Sequence, residues 1–511
     1  KENSSCQLSM FYEKNINMSL ICRKLCSSIL REHFGQIVQS VGDDLFKYGA
    51  KPVGLIRHTT HLPLAKIKEA LCVLMKYSFV AHRQTERGTE YFLIHKNIIM
   101  MLRYSRYLFF VKTVCGDEAE TMLAEVLKQG YITASEVIVK TYKRIEQSSL
   151  LSVLKDKFEL LVTNQFLMRS LYTESIEEKA NEKPDFRLPD LNMAEITKQI
   201  GGSDSDPGDS KIYWKVNFDR FTQDLRDQII VSAMCKRLDE NAGELMKQLL
   251  FLMYARTAPW ADTSNPIPLT EIKDAVRKIN FPLLTQHLDH YLRIIEEDTS
   301  QFLKRVGDSG GGQYSVNMKE AFKQLAWATL ENIVMERFGS KAARIFRYDI
   351  NSYYIEQEQI QQLAMIPAKE AKHLTYTLLQ ENYLQMQEIK KAGVSAAPIK
   401  TFFLFHIELN MVVRMEVEHC YHALYNTMQR RESELSSNKR MIDKQLRMQS
   451  LTTNLKKHGA TEEQLAEIGE LMTPSEKQQL DKVQNTIMKL SITELQIDET
   501  LFLLTMYLRY H

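Results

Sequence analysis

A chain of 511 residues is too long to fold around one hydrophobic core, so about three to five domains are expected. Only 19 glycines and 12 prolines occur, which favours a mostly helical chain. The formal net charge of +2 excludes a global field that would attract nucleic acid, so any such binding requires local basic patches.

The first hundred residues predict three helices followed by a two-stranded hairpin. Apolar residues recur at helical spacing in SLICRKLCSSILREHFGQIVQSV and again in LPLAKIKEALCVLMKY. Two β-type runs, SFVAHRQ and EYFLIH, flank a turn in which Gly88 can adopt positive φ. This order is typical of a winged helix, which we predict at residues 18–95. Residues 1–17 are predicted to be an N-terminal extension.

The same pattern recurs three times, so the predicted fold class is mainly α, with four tandem winged-helix domains and a C-terminal antiparallel coiled-coil helical hairpin. Between the second and third copies the chain is polar and rich in turn residues, which predicts a flexible linker. The predicted boundaries after the first copy are 96–173 for the second winged helix, 174–211 for the linker, 212–316 for the third winged helix, 317–408 for the fourth and 409–511 for the hairpin.

The stretch GDSGGG at Gly307–Gly312 resembles the nucleophile loop of a trypsin-like serine protease. It joins two β-type runs of the third copy, so we interpret it as a wing turn and not as a protease site. A protease triad is recognised by the geometry of its three members, and the residues flanking this stretch are predicted to be helical. Walker, GxGxxG and HExxH motifs are absent from the sequence, and we predict no catalytic residue, metal or cofactor.

Basic residues on third helices and wings are the candidate DNA contacts, because a winged helix meets DNA with these elements. Neighbouring acids such as Glu69 and Glu370 weaken each patch, so solvated faces or protein contacts remain alternatives. The candidates are Lys66, Lys68, Arg83, Arg87, Lys304, Arg305, Lys369 and Lys372.

The hairpin is predicted to present an apolar stripe to partner proteins. Its second arm repeats apolar residues at coiled-coil spacing, whereas Arg431, Asn438 and Gln445 interrupt the first arm. The first arm would therefore cover only part of the stripe. The candidate partner-binding residues are Leu480, Val483, Ile487, Leu490, Ile497, Leu501, Leu504 and Leu508.

Several long blocks resemble the winged-helix subunit of RNA polymerase III. They include KLCSSILREHFGQIV, IYWKVNFDRF, VGDSGGGQYSVN, ERFGSKAARIFR, AMIPAKEAKHLTYTLLQENYLQMQEI and LQIDETLFLL. The resemblance extends from about Met18 to Tyr507. That subunit belongs to the peripheral initiation heterotrimer of the polymerase and is related to the alpha subunit of TFIIE.

The resemblance implies a nuclear, non-catalytic polymerase subunit. No membrane contact is predicted, because the sequence has no run of about 18 apolar residues. Its implied partners are the two smaller subunits of the heterotrimer, the clamp and core of polymerase III, and TFIIIB. It also implies a role in promoter opening and participation in sensing foreign DNA through the polymerase. Weak, non-sequence-specific contact with promoter DNA is predicted from the basic residues themselves, because phosphate contacts carry no base information. The linker lacks a basic run of the nuclear-localisation kind, which puts autonomous nuclear import in doubt.

Two other classes of protein stay open from the residues alone. A free-standing winged-helix DNA-binding regulator would carry a stronger basic bias on one recognition helix than this chain shows. A helical scaffold of the proteasome-lid kind would carry a single winged helix at its end. The four predicted hairpin-bearing copies argue against the scaffold.

Overall fold

The structure is a computed structural model that describes residues 19–85, 88–145, 150–170, 186–201, 207–210, 212–279, 281–349, 354–390, 401–457 and 472–511. The chain divides into two compact units. The first unit comprises residues 1–221 and 421–498, and the second comprises residues 222–420 and 499–511. Among the described residues, no helix is both long and apolar enough to cross a membrane.

Four three-stranded antiparallel sheets share one topology. Within each sheet, the strand that comes last in the sequence lies between the other two. The strand that comes first in the sequence is only two residues long. In the first sheet, for example, Lys51 is opposite Tyr91 and Val80 is opposite Leu93. Two helices separate the short strand from the hairpin in the first, second and fourth copies, which is the winged-helix arrangement. The predicted fold class is therefore confirmed.

The first compact unit holds the first two winged helices. The first has helices Leu20–Phe34, Gln36–Tyr48, Val53–Thr60 and Leu64–Lys76 and strands Lys51–Pro52, Val80–Thr85 and Gly88–Leu93. Helix His95–Ile99, the 3-10 helix Met100–Arg103 and helix Tyr104–Cys115 follow. The second has helices Asp117–Gln129, Ala134–Arg144, Leu151–Thr163 and Met193–Ile200 and strands Ile132–Thr133, Leu167–Ser170 and Tyr213–Val216.

The third and fourth winged helices follow helix Phe218–Arg237. The third has helices Glu240–Arg256, Leu269–Arg277, Pro282–Gln286 and Leu288–Glu297, strands Ile267–Pro268, Leu303–Gly307 and Gln313–Val316, and the 3-10 turn Ser309–Gly311. The fourth has helices Met318–Phe338, Ser340–Asp349, Gln357–Ala364 and Ala368–Gln380 and strands Ile355–Glu356, Gln385–Lys390 and Thr401–His406. The tail has helices Leu409–Ser437, Lys439–Lys457 and Pro474–Tyr510.

Strand Tyr213–Val216 belongs to the second winged helix, so the predicted boundary at residue 212 is wrong. The strand pairs with Ile132–Thr133 on one side and with Leu167–Ser170 on the other. Trp214 on this strand is fully buried, and its ring lies edge-to-face with that of Phe158 at 5.8 Å between centroids. The segment predicted as a linker between two domains is therefore an insertion within the second wing.

The described part of this insertion is folded onto the second winged helix, which corrects the prediction of a flexible linker for those residues. Helix Met193–Ile200 buries Ile196 completely. Farther along, the carboxylate of Asp209 accepts hydrogen bonds from the backbone N–H of Ser135 at 2.7 Å and from its hydroxyl at 2.9 Å. A carboxylate on the N-terminal turn of helix Ala134–Arg144 also interacts favourably with the helix dipole. The residues 171–185, 202–206 and 211 lie outside the described part of the chain.

The tail helices run antiparallel within the first compact unit. Arg431 contacts Glu494, and Gln445 contacts Gln484, so later residues of the first arm meet earlier residues of the second. The second arm begins with a reciprocal capping box, in which the N–H of Glu476 donates to the Thr473 hydroxyl and the Thr473 N–H donates to the Glu476 carboxylate. This arrangement confirms the predicted antiparallel hairpin.

Candidate nucleic-acid and partner interfaces

The GDSGGG stretch forms the tip of the third wing. The 3-10 turn Ser309–Gly311 joins strand Leu303–Gly307 to strand Gln313–Val316. Gly310 and Gly311 have φ values of 65° and 88°, a region that L side chains rarely adopt. These glycines therefore permit the chain to reverse between the two strands.

The two cations before this turn differ in their surroundings. A guanidinium nitrogen of Arg305 lies 2.8 Å from the carboxylate of Asp308, so the charge of this side chain is offset within the wing. Lys304 is exposed on the neighbouring position of the strand, and it forms no ion pair with any described residue. Of the two predicted contacts, Lys304 is the one whose charge is available to an external phosphate.

On the third helix of the first winged helix, Leu64–Lys76, both predicted cations are exposed. The ammonium group of Lys66 lies 3.5 Å from the carboxylate of Glu69 in a surface pair that contributes little to stability. Lys68 has no ion pair within the described ranges. The helix therefore offers one unpaired cation and one that an exposed acid partly offsets.

The predicted wing cation Arg83 is engaged by its own hairpin. Its guanidinium donates two hydrogen bonds, at 2.8 Å and 3.1 Å, to one carboxylate oxygen of Glu90 on the opposite strand. Arg83 and Glu90 are cross-strand partners in the register of the sheet, which places the two charges together. This pairing makes Arg83 a poorer candidate for phosphate binding than its exposure implies. Arg87, the other predicted cation of this wing, lies outside the described residues.

In the fourth winged helix, Lys369 and Lys372 lie on the first turns of helix Ala368–Gln380 and are exposed. The intervening acid Glu370, which the sequence indicates as a weakening charge, is 2.5 Å from the ammonium group of Lys341. Neither Lys369 nor Lys372 forms an ion pair with the part of the chain that the structure describes. Because Lys341 neutralises Glu370, this is the most positive of the predicted patches.

The predicted apolar stripe of the hairpin is not exposed along its length. Leu480, Val483, Leu501 and Leu504 are buried within the chain, and Ile487, Leu490, Ile497 and Leu508 are half-buried. The prediction that this stripe is an open partner surface is therefore wrong for the four buried residues. Sequence spacing identified the apolar positions, but it could not show that the chain's own elements cover them.

The exposed apolar residues of the second arm lie on a different face. Met488 is 55% exposed and Ile492 is 48% exposed, and the two are spaced four residues apart on helix Pro474–Tyr510. Leu446 and Leu451, on helix Lys439–Lys457, are also about half exposed. Residues four apart on a helix are neighbours, so Met488 and Ile492 form a continuous apolar surface. Periodicity analysis of the seam missed them because they lie off the seam.

Arg431, predicted as a polar interruption of the first arm, is the centre of a charge network. One of its guanidinium nitrogens lies 2.5 Å from the carboxylate of Glu494 on the second arm. The other donates to both carboxylate oxygens of Glu32 on the first winged helix, at 3.0 Å and 2.9 Å. Its side chain is only 17% exposed, so these charge-assisted hydrogen bonds are partly screened from water. Arg431 thus ties both arms to the first winged helix.

Burial raises the pKa of Glu494 above its ordinary value, although the nearby guanidinium of Arg431 acts in the opposite direction. A carboxyl whose pKa is higher in the folded state stabilises the fold below the unfolded pKa, and this contribution is lost as the pH rises through the folded value. Glu494→Gln should therefore reduce the loss of stability that accompanies a rise of the pH above about 4.5. Urea unfolding at a series of pH values gives the free energy of unfolding of the wild type and the variant. An exposed-carboxylate control, Asp481→Asn, should follow the wild-type pH profile, and identical profiles for wild type and Glu494→Gln would contradict the assignment.

A second buried network, which the sequence analysis missed, lies near the end of the second arm. Asp498 is completely buried, and its carboxylate accepts two hydrogen bonds from Arg103, at 3.0 Å and 3.1 Å. Arg106 lies 3.7 Å from the same carboxylate and donates to the backbone carbonyl of Leu495. The available signal was an acid directly after Ile497 of the apolar seam, together with the two arginines in MLRYSRY. No periodicity rule connects residues that lie almost 400 positions apart.

Comparison with known protein families agrees with this architecture along the chain. The family described as the RNA polymerase III subunit RPC82 helix-turn-helix domain matches residues 24–84, and RNA polymerase III subunit RPC82 matches residues 132–325. The POLR3C C-terminal winged-helix domain matches residues 330–407. The helical hairpin domain of DNA-directed RNA polymerase III subunit RPC3 matches residues 440–503.

Relatives in animals are similar over almost their whole length. The human DNA-directed RNA polymerase III subunit RPC3 is 35% identical over 523 residues, which covers 95% of this chain and 98% of the human protein. The zebrafish (Danio rerio) subunit RPC3 is 34% identical with the same coverage. A subunit from Dictyostelium discoideum is 25% identical over 46% of this chain. With four winged helices, a helical hairpin and this end-to-end similarity, the chain belongs to the RPC3 family of RNA polymerase III subunits.

Proposed function

We propose that this chain is a non-catalytic subunit of RNA polymerase III that acts in transcription initiation. It would join the two smaller subunits of the initiation heterotrimer, contact the clamp and core, help to recruit the enzyme through TFIIIB and support promoter opening in the nucleus. A further role in sensing foreign DNA through the polymerase follows from the same assignment. The supporting observation is the end-to-end similarity to RPC3 subunits together with four intact winged helices.

Affinity purification of the tagged full-length chain from nuclear extract tests this proposal. The expected result is recovery of the polymerase III subunits, including the two smaller heterotrimer members, in near-stoichiometric amounts. A chain that purifies alone and binds a defined DNA sequence would instead indicate a free-standing regulator. Recovery of a different helical assembly would indicate a scaffold role.

A non-catalytic role for the GDSGGG stretch is part of this proposal. Ser309 lies on an exposed wing turn, and the nearest charged contact at this tip is the pair between Arg305 and Asp308. A serine nucleophile requires a histidine base within hydrogen-bonding reach. At this tip Gly310 and Gly311 have the positive φ values that a reversal between two strands requires. We therefore assign these residues to wing geometry.

For DNA, we propose weak contact through the unpaired cations, Lys68, Lys304, Lys369 and Lys372. Contacts between lysines and phosphates carry no base information, so the isolated chain should bind duplexes of different sequence with similar affinity. Each phosphate contact releases counterions, which makes the affinity fall steeply with salt. The relevant measurement is therefore the salt dependence of binding and not a single dissociation constant.

Replacing Lys304 by alanine is expected to reduce the slope of log affinity against log salt by about one. Fluorescence anisotropy with a duplex of arbitrary sequence, between low and moderate salt, provides this slope. Arg83→Gln is the matched control, because Glu90 already engages the Arg83 guanidinium, and its slope should stay close to that of the wild type. Equal losses for the two variants would contradict the role of Lys304, and a sequence-selective footprint would favour the regulator.

We also propose that the exposed apolar surface formed by Met488 and Ile492, which we call the outer face of the hairpin, anchors partner subunits. The seam between the two arms would not be the anchor. The double substitution Met488→Asp with Ile492→Asp should weaken co-purification with the polymerase without unfolding the chain, since both side chains are about half exposed. Since about half of each side chain is already buried, covering both on a partner would stabilise a complex by roughly 0.8–1.5 kcal/mol each before association costs.

The control for this double substitution adds the same charge at exposed polar positions of the same helix, through Gln478→Asp with Asn485→Asp. Circular dichroism of both variants reports the helix content. Wild-type yields of polymerase from the Met488 and Ile492 variant would show that the anchor lies elsewhere. Equal losses from both variants would show that charge, and not apolar contact, is responsible.

A further inference from the structure

Ser433 lies on the solvent face of the first arm, one turn before the end of helix Leu409–Ser437. Residues that share this face are all exposed, whereas the opposite face buries Leu424 and Met428 and carries the Arg431 network. The exposed set comprises Asn426, Gln429, Arg430, Ser433, Ser436, Ser437 and Arg440. A new helix begins at Lys439, so the turn that contains Ser433 is followed by a break in the helix.

The residues before Ser433 have the charge pattern that basophilic protein kinases recognise. Arg430 and Arg431 occupy the positions three and two residues before the hydroxyl, and the sequence Arg-Arg-x-Ser occurs once in the chain. Arg430 shares the exposed face with Ser433, at the i,i+3 spacing of neighbouring helical residues. It is at present paired with Glu434 at 2.6 Å in an exposed salt bridge, which is easily exchanged.

We propose that Ser433 is a phosphorylation site for a basophilic kinase. The Ser433 hydroxyl oxygen forms a bond to the γ-phosphorus of ATP while the bond from that phosphorus to the β,γ-bridging oxygen breaks, and ADP leaves. The hydroxyl proton passes to the catalytic aspartate of the kinase. This inference goes beyond the assignment to polymerase III and does not depend on the hairpin being a partner anchor.

The modification places a phosphate at an unfavourable position of the helix. The C-terminal end of a helix carries partial negative charge, and the phosphate adds a charge of about −1.5 to −2 there. Its neighbours Glu432 and Glu434 are also acidic, and both are paired, with Arg31 at 3.4 Å and with Arg430 respectively. The phosphate draws Arg430 away from Glu434 and repels both acids. Phosphorylation therefore loosens the last turn of the helix and the junction that follows at Asn438.

Incubation of the folded full-length chain with ATP and the catalytic subunit of cAMP-dependent protein kinase tests the site. Mass spectrometry should map phosphate to Ser433, and both Ser433→Ala and Arg430→Gln should lower total incorporation at least about tenfold. Ser436→Ala and Ser437→Ala serve as matched controls, because these exposed serines on the same face lack arginines at the corresponding positions. Their incorporation should equal that of the wild type.

Hydrogen exchange of the phosphorylated chain tests the consequence. Amides of residues 434–440 should exchange about two- to fivefold faster than in the unmodified chain, the range expected for a charge at a helix end. Phosphate at another residue, or incorporation only after the chain is unfolded in urea, would overturn the proposed site. Unchanged exchange in a chain phosphorylated at Ser433 would overturn the proposed loosening of the helix end.

Discussion

Replacing Asp498 by asparagine is expected to lower the free energy of unfolding of the first compact unit by about 3–5 kcal/mol. The variant keeps the shape of the side chain but removes the charge that Arg103 and Arg106 surround. Since Asp498 is completely buried and Arg103 nearly so, the variant leaves the guanidinium of Arg103 without this carboxylate in a medium of low polarity. Pulsed hydrogen exchange in increasing urea gives the free energy for helix Tyr104–Cys115 directly.

An exposed carboxylate on the same helix provides the comparison for Asp498. Asp481→Asn removes one charge from helix Pro474–Tyr510 at an exposed position, and a change within about 0.5 kcal/mol is expected. Equal stability of the two variants would contradict a structural role for the buried network. A double variant in which Arg103 also becomes methionine should recover part of the loss, because the buried positive charge is then removed together with the negative one.

Leu504→Ala is expected to cost about 2–5 kcal/mol in the second compact unit, because a fully buried leucine leaves a cavity when it is truncated. The sequence places Leu504 on an open partner surface, where truncation would cost affinity and leave the fold intact. The structure instead predicts that truncation lowers the free energy of unfolding, and that binding of partner subunits is lost only because the fold is destabilised. Urea unfolding and polymerase co-purification of the same variant separate the two.

Ile492→Ala is the control for Leu504, since Ile492 lies on the same helix and is about half exposed. Its stability should stay within about 0.5 kcal/mol of the wild type, whereas its yield of polymerase should fall if the outer face is the anchor. A Leu504→Ala variant that keeps wild-type stability but no longer binds polymerase would support the prediction from the sequence that Leu504 contacts a partner directly.

Local patterns predicted the repeated architecture well. Each wing is a hairpin whose strands are close in sequence, except in the second copy, and each recognition helix has apolar residues at helical spacing. The position of GDSGGG between two β-type runs was enough to assign it to a wing turn. The capping residues Thr473 and Glu476 marked the start of the last helix. All of these signals act over fewer than about 20 residues.

The errors concern pairings between residues that are distant in sequence. Tyr213–Val216 is a typical short strand, but an insertion separates it from Leu167–Ser170, so its sheet could not be identified from local order. Arg431 and Asp498 are charged residues that interrupt the apolar pattern of the arms, and each has a partner within the first 110 residues of the chain. The burial of Leu501 and Leu504 likewise depends on tertiary packing, which spacing alone does not contain.

The composition of the first compact unit has a consequence for synthesis on the ribosome. In the sequence, its two parts, residues 1–221 and 421–498, precede and follow residues 222–420, which make up most of the second unit. Contacts such as those of Arg103 with Asp498 and of Glu32 with Arg431 join residues that are about 400 positions apart, and pairings of such high sequence separation form slowly. During translation the first and second winged helices emerge early, but Arg103 has no access to its buried partner until residue 498 leaves the exit tunnel. The nascent chain therefore carries a first unit that lacks residues 421–498 throughout synthesis of residues 222–420.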